Sequence, residues 1–278
     1  MGTTAMRRLA AALCRVVLLG LVCVATGLAQ TPASSLYSGG PAVAGTMMTL
    51  AVPCETTETV LLIQDVLPWA TGGMDPDGAN VTELRAQNKP FCMINSSQIG
   101  STNLSRFDEI VISGAQTQTF YNNLFSGPGG TIHPNIEAWV RAGGVLSASL
   151  ADWASGPGAG GNWDGKIFLG GVTKVFSYWN DNAIVTGGHP VVANGLPCPS
   201  GNCAPLVDTG PWTDLDGWNW SNHGYFMNLP SGTTVILTEQ RIPTVILPVI
   251  VEYAYGSGRV IASMTTTEWR YVGGFGSL

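Results

Sequence analysis

Ser149 and Asp152 stand three residues apart in GGVLSASLADWASG, residues 143–156, where an apolar run gives way to small and polar side chains. A serine hydroxyl is a weak nucleophile until a general base takes its proton and a third group orients that base. For the base the chain offers His189 or His223, and for the orienting acid Asp152 or Glu268. His223 lies in WNWSNHGYF, crowded by polar and aromatic groups. A competing reading makes Ser147 and Ser149 small residues that pack a strand against a helix, and His223 a buried imidazole bonded to backbone. His189, in GGHPVVANG, reads as a structural turn, and His133, before Pro134, as an exposed residue at a helix entry.

Aromatic residues form the second candidate group. Trp153, Trp163 and Trp179 follow the serine stretch, and Trp212, Trp218, Trp220 and Tyr225 crowd PWTDLDGWNWSNHGY. Rings interleaved with Asp and Asn suit carbohydrate: ring faces stack on sugar CH groups while carboxylates and amides bond the hydroxyls. The same rings can equally cover the core of a glycine-rich domain. Asp65 and Trp69 follow the first strand, at the end where open α/β sheets bind ligands. DPDGAN, residues 75–80, lacks the spacing of a calcium loop and reads as a loop ending in a helix cap at Asn80, with Glu83 completing a capping box. The histidines are scattered and the C-x4-C spacing is loose, so neither a metal nor a cofactor is expected. Asn80, Asn95, Asn103 and Asn219 each open an N-x-S/T sequon, which in a eukaryotic secretory pathway would be surface acceptors.

The rest of the chain must position these groups. Of its 278 residues 45% are hydrophobic and 11% charged, enough apolar material for a sizeable core. A net charge of -6 gives no electrostatic footprint for nucleic acid or anionic lipid. Arg7, Arg8 and Arg15 flank an apolar run that closes on Gly27 and Ala29, the pattern of a secretory signal peptide, residues 1–29, cut after Ala29. The mature chain is then expected to be secreted or extracytoplasmic, with no lipid anchor and no further membrane span. Residues 30–56 read as a linker and residues 57–278 as the folded domain. Of the four cysteines left after cleavage, Cys198 and Cys203 bracket the turn-forming PSGN as a local staple, which leaves Cys54 and Cys92 as the second pair.

ETVLLIQDV, FCMI, FDEIVISGA and VLSASLA read as buried strands, separated by a helical stretch that opens at Asn80 and cannot pass Pro90, a short one around TFYNNLF, and one at NIEAWVRA before Gly143 and Gly144. Strands alternating with helices predict an α/β domain with a mainly parallel sheet. Beyond residue 157 the pattern turns antiparallel and aromatic, with GSG at 256–258 as a hairpin signal.

VLLIQDV, FDEIVISG, IEAWVRAGGVLSASL, GHPVVANG, SNHGYFMNLP and VIVEYAYGSGRVIAS, in that order, resemble the class I glutamine amidotransferase-like superfamily, in its divergent secreted bacterial branch that includes ThuA-like domains. The resemblance covers roughly residues 58–270. It implies a flavodoxin-like three-layer sandwich, extended here by an antiparallel, Trp-rich part, with a strand-end elbow at Ser149. It also implies a last helix after TTTEWRYVGG, which the sequence ending at Leu278 does not supply, leaving one sheet face bare. The family's elbow cysteine and its later His-x-Glu pair have no counterparts here, so glutaminase chemistry is not expected. The sequence therefore predicts an exported, non-catalytic α/β module, binding or structural, that recognises glycan or another surface protein. The alternative is a secreted hydrolase acting on a glycan or amide through Ser149 or Asp152 with His223. A third reading is an assembly subunit whose residues 41–53 add a strand to a neighbour's sheet.

Overall fold

The four apolar runs become parallel strands: β1 (Val60–Ile63), β2 (Phe91–Ile94), β3 (Glu109–Ile112) and β4 (Val145–Ser149). Between them lie α1 (Ala79–Ala86), α2 (Gln118–Leu124) and α3 (Pro134–Arg141). The second half contributes β5 (Thr173–Val175), β6 (Asn182–Ile184), β7 (Tyr225–Met227), β8 (Thr234–Glu239), β9 (Leu247–Tyr255) and β10 (Gly258–Ser263). The structure is a computed structural model that describes residues 54–55, 57–70, 78–152, 160–179, 182–186, 189–191, 222–239 and 244–268. The leader, residues 30–53, Cys198, Cys203, Trp153, Trp212, Trp218, Trp220 and Asn219 lie outside the described residues.

Eight strands form one mixed, mostly parallel sheet in the order β2-β1-β3-β4-β10-β9-β8-β6. The pairings from β2 to β10 are parallel. Those from β10 to β6 are antiparallel. The antiparallel strands therefore continue the parallel sheet, while β5 and β7 pair as a separate ribbon. Gly256, at φ 63, makes the β9–β10 turn, and Ser257 N–H bonds the Arg141 carbonyl at 2.9 Å, so the hairpin is anchored to the end of α3.

Alternation along the strands divides the core between two faces. Leu61, Ile63, Ile110 and Leu146 pack with Phe120 and Leu124 of α2 and with Ile136 and Val140 of α3. Leu62 and Met93 point the other way and meet Val81 and Leu84 of α1. β1 is buried along its whole length, as its unbroken apolar run predicts.

Local signals account for the helix ends. His133 caps α3 by accepting the Asn135 N–H at 3.1 Å, and Pro134 holds the first helical position. At the other end Gly143 N–H bonds the Val140 carbonyl at 3.0 Å and Gly144 N–H the Trp139 carbonyl at 3.2 Å, a Schellman closure with Gly143 at φ 125. A side chain at residue 144 would fall 2.4 Å from the Trp139 ring, so only glycine lets α3 turn directly into β4.

Two expectations need correction. Asn80 does not cap α1: Gly78, at φ 90, is the cap, and its carbonyl accepts the Thr82 N–H and hydroxyl. Asn80 lies two positions further in, with its amide buried and bonded across the fold, so this sequon is no surface acceptor. Nor does Ser149 sit on a strained elbow. It ends β4 in line, and Leu150 N–H continues the ladder to the Ser263 carbonyl at 2.7 Å. Strained backbone on this side follows β1, at Trp69 with φ 60, and β3, at Ala115 with φ 48.

Cys54 and Cys92 form a disulfide, with Cα atoms 5.0 Å apart, that ties the chain entering β1 to the edge strand β2. The bond closes a loop across a sequence separation of 38. A closure of that length removes roughly 4 kcal/mol of unfolded-state entropy in the chain-entropy model. The double variant C54A/C92A is expected to melt about 10 °C lower in a thermal scan, with unchanged secondary structure by circular dichroism.

Candidate functional site

β1, β2, β3, β4, β10 and β8 run in one direction, so their carboxyl ends share one edge. Every buried polar or charged residue among the described ones lies at that edge or in the segments that close it. The rest of the core is apolar. A buried polar group left unpaired costs about 1–3 kcal/mol, so these side chains are held in hydrogen-bonded nodes.

The first node is centred on Glu268, 1% exposed. Its carboxylate accepts from Asn80 Nδ2 at 2.5 Å and from Gly114 N–H at 3.2 and 3.1 Å. Asn80 also donates to Ser113 Oγ at 2.8 Å, and Ser113 donates to Gln64 Oε1 at 2.8 Å. Burial lifts the Glu268 carboxyl to about 7, against the donors from Asn80, Gly114 and the Trp69 indole that favour its charged form. Gly114 is glycine for space: a Cβ there would lie 2.8 Å from Glu268 Oε2 and 3.3 Å from Ser149 Cβ. Ser149 therefore borders this node, half-buried, and its hydroxyl makes no hydrogen bond to a described residue.

The second node is centred on Asp152, fully buried. Asp152 Oδ2 accepts the Trp163 N–H at 3.0 Å and the Lys174 ammonium, which also reaches Asp164 Oδ1 at 3.0 Å. Oδ1 is buried without a hydrogen-bond partner. Burial raises the Asp152 carboxyl to about 6, with the Lys174 charge opposing. His223 approaches Asp152 through the backbone: Nδ1 lies 2.6 Å from the Asp152 carbonyl oxygen. A carbonyl only accepts, so Nδ1 carries the proton and Nε2 the lone pair. Burial pushes the imidazole down to about 4, the carbonyl bond opposes that shift and Lys174 reinforces it, so His223 is neutral at pH 7. Trp69 and Tyr178 contact its ring edge-on, at 4.7 and 4.6 Å.

A third node lies at the end of β8. Glu239 Oε2 accepts Ser177 Oγ at 2.6 Å and Asn222 Nδ2 at 2.8 Å.

The structure thus brings Asp152, His223 and Trp69 together and sets Ser149 beside Glu268. Asp65 stands at the same edge, but its carboxylate caps the turn after β2, accepting Ser96 N–H at 2.6 Å and Ser96 Oγ at 2.8 Å. Trp69 is buried, with φ 60. His189 bonds Glu252 at 2.8 Å in the structural turn expected of it. Sequence reasoning missed Lys174, Asn80 and Gln116. The signal for Lys174 was a lone lysine inside the apolar alternation VTKVF. Gln116 gave none: it is fully buried, its oxygen accepting Asp65 and Val66 N–H and its nitrogen donating to the Val66 and Gly114 carbonyls.

Among the described residues no group of three or more His, Cys, Asp or Glu side chains is placed to hold a metal ion. No helix among them is long and apolar enough to cross a membrane. A groove of about 780 Å³ between α3 and residues 102–108 lies at the opposite, amino edge of the sheet, and Asp108 is its one titratable side chain.

No protein-family model matches the chain. An uncharacterised protein of Clostridium acetobutylicum is 27% identical over 213 residues, a match that takes in 77% of this chain and 18% of that protein's length. Among solved structures, a cytoplasmic protein of Salmonella typhimurium LT2 aligns with a TM-score of 0.45 and 16% identity, covering 77% of this chain and 92% of its own. A cold-adapted β-galactosidase from Rahnella aligns at 0.43 and 13%, covering 80% and 30%. A glutamine amidotransferase from Thermotoga maritima aligns at 0.40 and 11%, covering 75% of each chain.

Removing one partner from a buried ion pair leaves the other charge uncompensated, at a cost of about 3–5 kcal/mol. Lys174→Met is expected to lose that much stability at pH 7.5 in denaturant titrations. The loss should shrink at pH 5, because Asp152, raised to about 6, then takes a proton and no longer needs the ammonium.

Proposed function

We propose that this chain is an exported, non-catalytic α/β module with an amidotransferase-like, flavodoxin-like fold, which binds glycan or a surface protein. One observation carries the non-catalytic reading: among the described residues, the carboxyl edge pairs no serine or cysteine nucleophile with a histidine base. The Ser149 hydroxyl has no basic partner among the described residues, and its backbone is extended where an elbow would present a nucleophile. The Nδ1 proton of His223 goes to a backbone carbonyl and not to a carboxylate, so Asp152 does not orient it as the acid of a triad would. The Asp152 charge is met by Lys174. The module reading also draws on the Clostridium acetobutylicum relative, in which the matching segment is 18% of a longer chain. The glycan reading rests on the rings and acids of PWTDLDGWNWSNHGY.

A second reading has one observation in its favour. Glu268, with its carboxyl near 7, borders Ser149 across Gly114, and a carboxyl in that range is suited to proton transfer at neutral pH. It makes the protein a hydrolase of glycan or amide substrates through Ser149 or Asp152, with His223.

The two readings separate in one set of assays on residues 30–278: a glycan array, and panels of ester, amide, glutamine and glycoside substrates. The module reading expects glycan retention that falls at least tenfold in Trp218→Ala, with no turnover by wild type or Ser149→Ala. Turnover by wild type that is lost in Ser149→Ala or Asp152→Asn would replace it with the hydrolase.

A further inference from the structure

The groove at the amino edge is built where two neighbouring strands begin. β3 starts at Glu109 and β4 at Val145, so the loop over residues 102–108 and the turn over residues 142–144 stand side by side. Two hydrogen bonds pin these walls together at their base. Trp139 Nε1 donates to the Phe107 carbonyl at 3.2 Å, and Val145 N–H to the Asp108 carbonyl at 3.2 Å. One wall is nearly bare of side chains, being formed by Ala138, Ala142, Gly143 and Gly144. A Cβ added at Gly143 would meet nothing within 4 Å. The groove's volume of about 780 Å³ falls among small-molecule sites, which span roughly 300–1,000 Å³.

The opposite wall carries polar groups whose directions are already set. Asn103 Oδ1 accepts the Ser105 N–H at 3.2 Å and Ser105 Oγ at 2.8 Å, which leaves Asn103 Nδ2 as a donor. Asn135 Nδ2 donates to the Ile99 and Gly100 carbonyls at 3.4 and 3.3 Å, which leaves Asn135 Oδ1 as an acceptor. A backbone N–H only donates and a carbonyl only accepts, so neither amide can be reversed. Asp108 is exposed, and its carboxylate bonds no described residue. The nearby guanidinium groups are engaged elsewhere: Arg106 with Glu58 at 3.2 Å and Arg141 with Glu137 at 3.0 Å.

We propose that this groove is a binding site for a neutral saccharide. One fixed donor among several acceptors complements hydroxyl groups, each of which both donates and accepts. A phosphate, sulfate or carboxylate would meet the Asp108 charge with no cation lining the groove to offset it. An ammonium only donates, and would leave the Asn103 donor without an acceptor. The wall of alanine and glycine leaves room for a sugar ring and gives its CH groups an apolar surface. Because the Asn103 and Asn135 amides are held in place before a ligand arrives, little side-chain ordering is left for binding. The site rests on the glycan arm of the module reading, but uses none of the rings of PWTDLDGWNWSNHGY, and it lies at the other edge of the sheet.

Backbone-amide NMR of the full chain reads the site residue by residue. The probes are a panel of neutral disaccharides, including maltose, cellobiose and lactose, with glucosamine and glucuronic acid as the cationic and anionic comparisons. At least one neutral sugar should shift the amides of residues 102–108 and 138–145, and the two charged sugars should shift them less. Asp108→Ala removes the carboxylate, and Ala138→Phe fills the groove from an exposed position on α3 without removing a side-chain hydrogen bond. Each should raise the Kd read from these shifts roughly tenfold, whereas Trp218→Ala should leave it unchanged. Wild-type titrations in which no neutral sugar moves these amides overturn the site, and that result needs no variant to fold. If a glycan array then still retains wild type but not Trp218→Ala, the groove has failed and the module reading stands. Tighter binding of glucosamine or glucuronic acid than of every neutral sugar overturns the ligand class. A Kd unmoved in both Asp108→Ala and Ala138→Phe overturns the groove as its seat.

Discussion

Closing the carboxyl edge over buried polar groups is the constraint on which the rest of the structure depends. Six strands deliver their carboxyl ends to one line, and the polar groups that follow them are buried there. Each must find a partner or cost free energy. The edge meets this demand in two ways. At Asp152 an ammonium faces the carboxylate, steadied by the Trp163 N–H. At Glu268, among the described residues, neutral N–H donors do, and burial lifts the carboxyl to about 7 against them. The two nodes thus differ in charge pairing: the first is an ion pair, the second a carboxyl set among N–H donors.

The same closure governs what chemistry the edge can offer. An imidazole acts as a relay when one nitrogen is held by an acid and the other faces the nucleophile. His223 is held by a carbonyl instead, among aromatic rings that keep it neutral to about pH 4. Gly114 brings Ser149 and Glu268 to the same small space, since any side chain at that position would strike the carboxylate. What the sheet assembles is thus a set of buried acceptors and a serine without an engaged base.

Much of this frame was legible in residue patterns, because local physics decided it. VLLI is buried on both faces and reads as an unbroken apolar run; NIEAWVRAGG carries its apolar stripe and its closing glycines; GSG turns the last hairpin. The site was less legible, because its pairings cross long stretches of sequence. Asn80 has the profile of a helix cap, and nothing near it in the chain signals that its amide bonds a carboxylate 188 residues away. Lys174 looked like one residue of a strand, and only the return of the chain after β4 sets Asp152 against it. The elbow expected at Ser149 failed for a related reason. β10 lies beside β4 and extends its ladder to Leu150, which keeps the backbone straight where a free strand end could turn.

The titrations of Glu268, Asp152 and His223 at this edge act in opposite directions. Glu268 and Asp152 are raised to about 7 and about 6, so both gain protons as pH falls below neutrality, and the native state holds those protons more tightly than the unfolded chain does. His223 is lowered to about 4, so it stays neutral over the same range while an unfolded histidine would charge. The carboxyls favour the folded edge as pH falls, and the imidazole disfavours it. Between about pH 4 and pH 6 burial therefore keeps these three side chains, Asp152, Glu268 and His223, in their neutral forms.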